Sequence, residues 1–357
     1  MTNPRIVFAG GGHAHVYSLR RTAEFVSAGY DVTLVSDSPY LYYSGMATGV
    51  LSGRYSPEEH RLDVRRLVES GGGRFVEGRV EHVLPKERVL LLENGSAVPY
   101  DAASFCLGSE TKLGGENSIP VKPVANLMRI REAISDGGAS SLLVVGGGAA
   151  GCEVAANAAS LMPHGNTTLI EAEPDILPLA PKKARRIMRE HLRNLGVDVM
   201  LGAKAASFES GSVVLEDGRK VLADILVAAT GIAPSGVFAR SNLATGDDGG
   251  MWVNHYLQSV TDERMFGGGD SVAFRGGALP RFGVYAIRQG PILFRNIRAI
   301  LEGKPLEEFR PQKHFLYILN LGDGTGLGAY GAFAWRGRSA LALKSFIDER
   351  FVDEHRG

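Results

Sequence analysis

Two glycine clusters carry the clearest chemistry in this chain. Gly146-x-Gly148-x-x-Gly151 follows the apolar run Leu142-Leu143-Val144-Val145 and opens a helix-like stretch, the context in which such glycines bind a dinucleotide. Lacking side chains, they let the backbone approach a pyrophosphate, while the helix N-terminus offers N–H groups and a favourable dipole. Glu171 stands 20 residues beyond Gly151 (171 − 151), where the next strand-like run ends. A carboxylate there accepts from a ribose 2′-hydroxyl and repels a 2′-phosphate, which favours NADH over NADPH. A carboxylate that only caps the following turn is the competing reading. The first cluster, Gly10-x-Gly12-x-x-His15, has histidine where close helix packing wants glycine, so a slightly splayed turn is expected. His13, Ala14 and His15 fall in its first helical turn, and each histidine either donates to phosphate or packs. Ser36 or Asp37 would meet the ribose, Asp37 being the better acceptor for two hydroxyls.

The clusters head two copies of one unit. In each, an apolar strand, the glycine turn, a helix and a second strand are followed by a hairpin, turning at Asn94-Gly95 and at Asp217-Gly218. Each copy closes on a strand and a glycine, Gly108 and Gly231, which complete the two dinucleotide sites. The second strands end 26 and 25 residues beyond the first glycine (36 − 10 and 171 − 146), whereas the closing glycines lie 98 and 85 beyond it (108 − 10 and 231 − 146). The first copy therefore holds an insertion between residues 37 and 94, expected to include residues 40–53 and a helix opened by the capping box Ser56-Pro57-Glu58-Glu59. Strand, turn, helix, strand builds a parallel sheet with helices on its faces, so the expected fold is α/β with two Rossmann-like domains. Pro120-Val121-Lys122-Pro123 reads as the crossing between them and Ala233-Pro234-Ser235-Gly236 as the start of the return. Met265-Phe266, leading into Gly267-Gly268-Gly269-Asp270, is assigned back to the first domain.

Lys plus Arg and Asp plus Glu each number 39, so no basic field gathers nucleic acid. Cys106 and Cys152 are the only cysteines, too few for a disulfide framework and suited to the reducing cytosol. No apolar run reaches the roughly 18 residues a membrane span needs, which leaves peripheral contact with the inner membrane face as the form any lipid contact takes.

Beyond these features, Tyr43-Ser44-Gly45-Met46, the paired fingerprints, Gly269-Asp270 and Gly283-Val284-Tyr285-Ala286-Ile287-Arg288-Gln289-Gly290 resemble the pyridine nucleotide-disulfide oxidoreductase superfamily. Within it the resemblance is to type II NADH dehydrogenases and to the flavoprotein domain fused to selenophosphate synthetase. It implies FAD in the first domain, with Gly10, Gly12, His13, Ala14, Ser36, Asp37, Ser44, Gly108 and Asp270 around it. It implies NAD(P)H in the second, at Gly146, Gly148, Gly151, Glu171 and Gly231. Glu153 matches an acidic residue placed near flavin and nicotinamide, although a first-turn glutamate answering the helix dipole reads equally well. Arg288 and Gln289 match the flavin edge or a quinone pocket. The implied boundaries are 1–112 and 246–308 for the FAD domain, 113–245 for the NAD(P)H domain and 309–357 for a C-terminal segment covering the flavin or meeting a membrane or second subunit.

A disulfide reductase needs two thiols close together beside the flavin, and residues 38–56 contain none. Residues 335–352 place Ala340, Leu343, Phe346, Ile347 and Phe351 at helical spacing with Arg336, Arg338, Lys344 and Arg350 alongside, which suits a lipid surface, the FAD domain or a homodimer contact. Gly322-Asp323-Gly324-Thr325-Gly326 reads as a tight hairpin. The expected activity is transfer of electrons from NADH through flavin to a quinone or other small acceptor. The alternatives are a slowly turning-over flavin and NADH sensor and a reductase of a protein partner.

Overall fold

The computed structural model describes residues 3–162 and 164–356. Its centre is two five-stranded parallel sheets. The first runs Met265–Gly267, Ala102–Phe105, Arg5–Ala9, Asp31–Ser36, Arg74–Glu77 in spatial order. The second runs Ile119–Pro120, Ile225–Ala228, Ser141–Val145, Asn166–Glu171, Asp198–Leu201. Their central strands are nearly unbroken apolar runs, Ile6, Val7, Phe8 and Ala9 against Leu142, Leu143, Val144 and Val145, all buried. A strand covered on both faces needs no polar alternation, and this parallel register is the one that buries both faces.

Each unit adds a three-stranded antiparallel meander. Val89–Leu92 turns through Asn94-Gly95 into Ala97–Pro99, and Ser212–Leu215 turns through Asp217-Gly218 into Lys220–Leu222. Gly95 and Gly218 take φ of +80° and +86°, which these two turns require. Ser109–Thr111, ahead of the crossing at residues 120–123, pairs antiparallel with Ile232–Pro234, where the return begins, and the crossing itself starts on Ile119–Pro120, the edge strand of the second sheet. After the return, Met265–Gly267 joins Ala102–Phe105 and so extends the first sheet.

Two helices differ from expectation. The stretch after Gly12 is not one helix but two short ones, Val16–Leu19 and Thr22–Ser27. The capping box at residues 56–59 forms, with Ser56 N donating to Glu59 at 2.6 Å and Glu59 N to Ser56 Oγ at 3.3 Å, yet it holds only turns. The next residues, Arg61–Asp63, pair with Tyr40–Tyr42 instead, and the helix begins at Val64–Ser70, where Asp63 caps the Arg66 N–H at 2.8 Å. Strand pairing therefore takes the residues that would have extended the capped turn, and Asp63 supplies a second N-cap beyond them.

The C-terminal segment is a small antiparallel sheet, Tyr317–Asn320, Gly326–Tyr330 and Phe333–Gly337, followed by the helix Arg338–His355. Leu319, Leu321, Leu327, Ala329 and Ala334 of the sheet share a core with the second unit, while Val352 of the helix packs with Val16, Tyr43, Met46 and Leu62 of the first. The segment thus spans both units. Residues 322–326 form the expected hairpin turn, with Asp323 held by Arg336.

Candidate functional site

The two glycine turns are built alike, and the likeness extends to single bonds. Gly10 N donates to Val35 O and Gly146 N to Ile170 O, both at 2.7 Å; Cys106 N meets Ala9 O and Ala229 N meets Val145 O, both at 2.8 Å. A Cβ on Gly10 would lie 2.3 Å from Cys106 O, and one on Gly146 would lie 2.1 Å from Ala229 O. Only glycine fits that close approach, and both residues have φ near or above +90° (89° and 112°). Each loop then crosses the ends of its strands as a cradle of backbone, the form a pyrophosphate site takes.

The third position separates the copies. In the second, a Cβ on Gly151 would fall 1.8 Å from Gly146 O, so the helix Ala149–Leu161 starts hard against the turn. In the first, the His15 ring occupies that place and binds the same carbonyl, Nδ1 to Gly10 O at 2.7 Å, with Nε2 meeting Ser104 Oγ at 2.9 Å. The expected splay is this: the helix begins only at Val16, and an imidazole bridges the gap. His15 is fully buried and burial pushes its pKa down to about 4, against the opposing pull of Gly10 O, so it packs as a neutral ring. Gly12 is pressed on Cys106, whose Sγ would lie 2.4 Å from an added Cβ, whereas Gly148 faces open space.

The remaining first-unit residues gather round this cradle. Ser36 is buried beside Gly11; Asp37 is exposed, 3.6 Å from Arg79. Ala14 packs under Gly268 and Gly290, which joins the first turn to the helix Gly283–Glu302. Asp270 is held by Ser109 Oγ at 2.8 Å and Lys122 Nζ at 3.5 Å, and its carbonyl by Arg281 Nε at 3.2 Å. Gly108 takes φ of +74° and donates to Ser271 Oγ at 3.1 Å. Ser44 lies at the start of the long helix, its Oγ 3.6 Å from where a Gly283 Cβ would stand. His13 sits among Tyr43 and Phe351, ring centroids 5.6 and 6.4 Å away, with its Nε2 enclosed and unpartnered. Burial pushes its pKa down to about 4, with Lys122 acting the same way and Asp270 opposing.

In the second unit Glu171 is buried and both its oxygens are engaged, Oε2 by Gly147 N at 2.6 Å and Oε1 by Glu173 N at 2.8 Å. The carboxylate therefore braces the glycine loop from the end of its strand. Gly231 takes φ of +87° just beyond the strand Ile225–Ala228. Cys152 is buried with its thiol donating to Gly147 O at 3.2 Å, and burial pushes its pKa up; Cys106 is likewise pushed up to about 12. Neither is a poised thiolate, and the first-turn position of Cys152 gives it no lowered pKa.

Glu153 ties the units together. Its Oε1 accepts from Thr48 Oγ1 of the first unit at 3.0 Å and from Asn320 N of the C-terminal sheet at 2.6 Å. Burial raises its pKa, while Lys344 and the Asn320 N–H pull the other way. Gln289 is buried, its Oε1 accepting from Gly269 N at 2.7 Å, whereas Arg288 next to it is exposed on the outer side of the helix. The structure brings Gln289 to Asp270 and does not bring Arg288 with it. Behind Asp270 opens a cleft of about 320 Å³, lined by Asp248, Trp252, Phe274, Arg281, Phe282 and Tyr285 among others.

Several site residues escaped the sequence. Thr48, Asn320 and Lys122 carry no local signal, since each is brought in from an element distant along the chain, and Arg281, 11 residues beyond Asp270, stands in no motif. Lys344 belongs to the basic residues beside the helix face suited to lipid, the FAD domain or a homodimer contact; its side chain is only 13% exposed and its Nζ donates to Asp348 Oδ2 at 2.8 Å and Gly45 O at 2.5 Å, so it faces the first unit. The helix period located the residue but not the side it faces.

Comparison with known proteins agrees with this geometry. A family model for pyridine nucleotide-disulphide oxidoreductases matches residues 4–290. A protein of Arabidopsis thaliana described as alternative NAD(P)H-ubiquinone oxidoreductase C1, chloroplastic/mitochondrial, is 27% identical over 92% of this chain and 72% of its own length. Among solved structures, the sulfide:quinone oxidoreductase of Aquifex aeolicus has a TM-score of 0.82 at 16% identity, covering 99% of this chain and 91% of that one. NDH2 of Plasmodium falciparum in complex with NADH has a TM-score of 0.80 at 12% identity, covering 100% and 99%. At those identities the structural likeness speaks to the fold, and the two Rossmann-like units expected from the sequence are that fold. With the family model spanning both glycine cradles, the chain belongs to the pyridine nucleotide-disulphide oxidoreductase family and is a flavin- and NAD(P)H-dependent oxidoreductase.

Proposed function

We propose that this protein oxidises NADH and passes the electrons, by way of FAD in the first unit, to a quinone. The observation that carries the reading is Glu153, which stands one turn into the helix of the second cradle, beyond the first turn where the helix dipole would account for it, and is hydrogen-bonded into the first unit and the C-terminal sheet. Two dinucleotide sites that meet at one enclosed carboxylate suit transfer between their ligands. When bound, FAD supplies a carrier that takes two electrons from a nicotinamide and returns them to a separate acceptor.

The chain's own residues supply position and shelter, which such transfer mainly demands. The turn at residues 10–14 would hold the diphosphate, with Asp37 at the adenosine ribose and Asp270 at the polyol, steered by Ser109 and Lys122. Gly146, Gly148 and Gly151 would hold the nicotinamide dinucleotide, with Glu171 and its neighbour Glu173 selecting against a 2′-phosphate. Glu153 would orient the meeting point and keep it closed to water. The aromatic-lined cleft beside Gln289 is within the size range of small-molecule sites and is the place proposed for the acceptor ring. No thiol relay is part of the reading, because the two cysteines are buried and 46 residues apart (152 − 106).

The ubiquinone named for the Arabidopsis relative supports a lipid-soluble acceptor. So does the outer side of the C-terminal helix, where Leu343, Phe346 and Ile347 are exposed, Phe346 to 62%. Among the described residues no helix is long and apolar enough to cross a membrane, so contact with lipid would be peripheral, through this face.

Anaerobic titration tests the proposal. NADH added to the purified holoprotein is expected to bleach the flavin's visible absorbance, NADPH to do so only at much higher concentration, and a short-chain quinone to restore it. Flavin that neither nucleotide bleaches defeats the electron-transfer reading.

A further inference from the structure

Reduction of a quinone by NADH moves two electrons and one proton as hydride and takes a second proton from water, giving NAD⁺ and quinol. Until that second proton arrives, a ring oxygen of the acceptor carries negative charge, and a fixed cation beside it stabilises that state. The cleft behind Asp270 holds such a cation in Arg281. Its Nη2 donates to Asp248 Oδ2 at 2.7 Å, and its Nε donates to the Asp270 carbonyl at 3.2 Å. A guanidinium has five N–H groups, so three remain, and among the described residues none of the three has a protein acceptor. The group is planar, so two anchors on separate segments aim the rest of it, and with 19% of its side chain exposed it lines the cleft.

The neighbouring walls match a ligand that brings oxygen acceptors and no donors. The carboxylates that line the inner wall are already engaged, Asp248 by Gly250 N at 2.9 Å as well as by Arg281, and Asp270 by Ser109 and Lys122; Asp247 stands exposed at the rim. Gln289 Oε1 is spent on Gly269 N, which leaves its Nε2 without a protein acceptor among the described residues. The polar groups still unengaged beside Asp270 are therefore donors. Trp252, Phe274 and Phe282 supply flat apolar surface for a ring. We propose that Arg281 binds the ring oxygen of the acceptor, a neutral quinone, and stabilises the charge which that oxygen carries between arrival of the electrons and arrival of the second proton. The proposal rests on the quinone-reduction reading and on its placing of the acceptor in this cleft.

The anchors give this arginine a second property. Asp270, read above as the residue at the flavin polyol, offers its carbonyl to Arg281 and its carboxylate to Ser109 and Lys122. One short turn thus aims both the cofactor and the guanidinium, and Arg281 itself lies two residues ahead of the helix Gly283–Glu302, whose Gln289 holds the neighbouring Gly269 N. A donor set in place before the acceptor arrives needs no reorganisation when charge develops on the oxygen. An arginine that only fastened its loop to Asp248 would affect reduction and reoxidation of the protein alike.

The test has two arms. In the first, holoproteins carrying Arg281→Gln, Arg281→Lys and Arg281→Ala are compared with wild type, with reduction by NADH and reoxidation by a short-chain 1,4-benzoquinone followed separately at the flavin absorbance. Loss of a hydrogen bond to developing charge is expected to slow reoxidation in Arg281→Gln by roughly tenfold to a hundredfold more than reduction, with Arg281→Lys in between. Added guanidinium ion is expected to speed reoxidation of Arg281→Ala and not its reduction. Equal slowing of the two half-reactions, reoxidation at the wild-type rate, or slowing that guanidinium does not relieve overturns the proposal. The second arm reads binding without turnover. In oxidised holoprotein with Trp335→Phe, the same quinone is expected to quench Trp252 saturably, and Arg281→Gln to weaken that binding at least about tenfold; quenching that is equal in the two proteins, or that never saturates, overturns the proposal. A wild type that NADH cannot reduce defeats the electron-transfer reading alone, and the binding arm still decides the role of Arg281.

Discussion

Replacing His15 by glutamine, and then lowering the pH, isolates the electrostatic load of the first glycine turn. The His15 ring is fully buried between Gly10 O, which can only accept, and Ser104 Oγ, so Nδ1 carries the proton and Nε2 accepts. Burial depresses its folded pKa to about 4, below the ordinary 6.5. A depressed pKa means the stabilising effect is complete above pH 6.5 and is lost as pH falls from there through 4, because the unfolded chain takes up the proton first. Between pH 7.5 and 5 the linkage relation puts the loss at about 2 kcal/mol, and below pH 4 it approaches about 3 kcal/mol. Glutamine offers one donor and one acceptor to the same two partners and does not titrate. Urea unfolding of both holoproteins at the two pH values should therefore show wild type losing about 2 kcal/mol more than His15→Gln, with the contribution of His13 common to both. Equal losses in the two proteins, or an imidazole found charged near neutral pH by NMR, would refute the reasoning.

The two cradles should fail independently. Gly151→Ala places a methyl 1.8 Å from Gly146 O and is expected to weaken NADH binding at least tenfold, or about 1.4 kcal/mol, while flavin content is retained; calorimetric titration with NADH reads this directly. Gly12→Ala collides with Cys106 at 2.4 Å and should yield protein depleted of flavin, measured as the ratio of visible to ultraviolet absorbance. Glu171→Ala removes the carboxylate at the ribose position and should narrow the NADH preference over NADPH by at least tenfold, at some loss of thermal stability because Gly147 N loses its partner. With Trp335 replaced by phenylalanine, Trp252 is the remaining tryptophan, and a quinone in the proposed cleft should quench its fluorescence saturably; quenching that grows linearly without saturation argues against that seat. Phe346→Glu with Ile347→Glu should abolish sedimentation with lipid vesicles while leaving NADH-driven reduction of a water-soluble quinone within about twofold, since both side chains face solvent.

Much of this molecule is legible in one dimension because its logic is local. A glycine that must lie against a carbonyl, an apolar run covered on both faces and an Asn-Gly turn are each specified by a few neighbouring residues, and their recurrence at matching offsets exposes the repeated unit. Gly10, Gly146 and Gly151 are of this kind: backbone contact alone demands them. The false start at residues 56–59 shows the limit, since a correctly capped turn yields when the following residues pair with a distant strand. The arrangement at Glu153 lies wholly beyond local reading. Thr48, Asn320 and Lys344 come from three separate elements, and whether Lys344 faces lipid or the interior depends on which side of its helix meets the residue 43–46 turn. Sequence by itself determined two dinucleotide cradles and the order of their strands, because those follow from steric room and hydrophobic period. Only the tertiary structure decided that His15 replaces a glycine by hydrogen-bonding the carbonyl it would have uncovered, that Arg288 turns outward, and that the last helix buries a charged pair at the junction. These depend on which surfaces meet, and burial there changes the free energy of a charge by more than any local preference does.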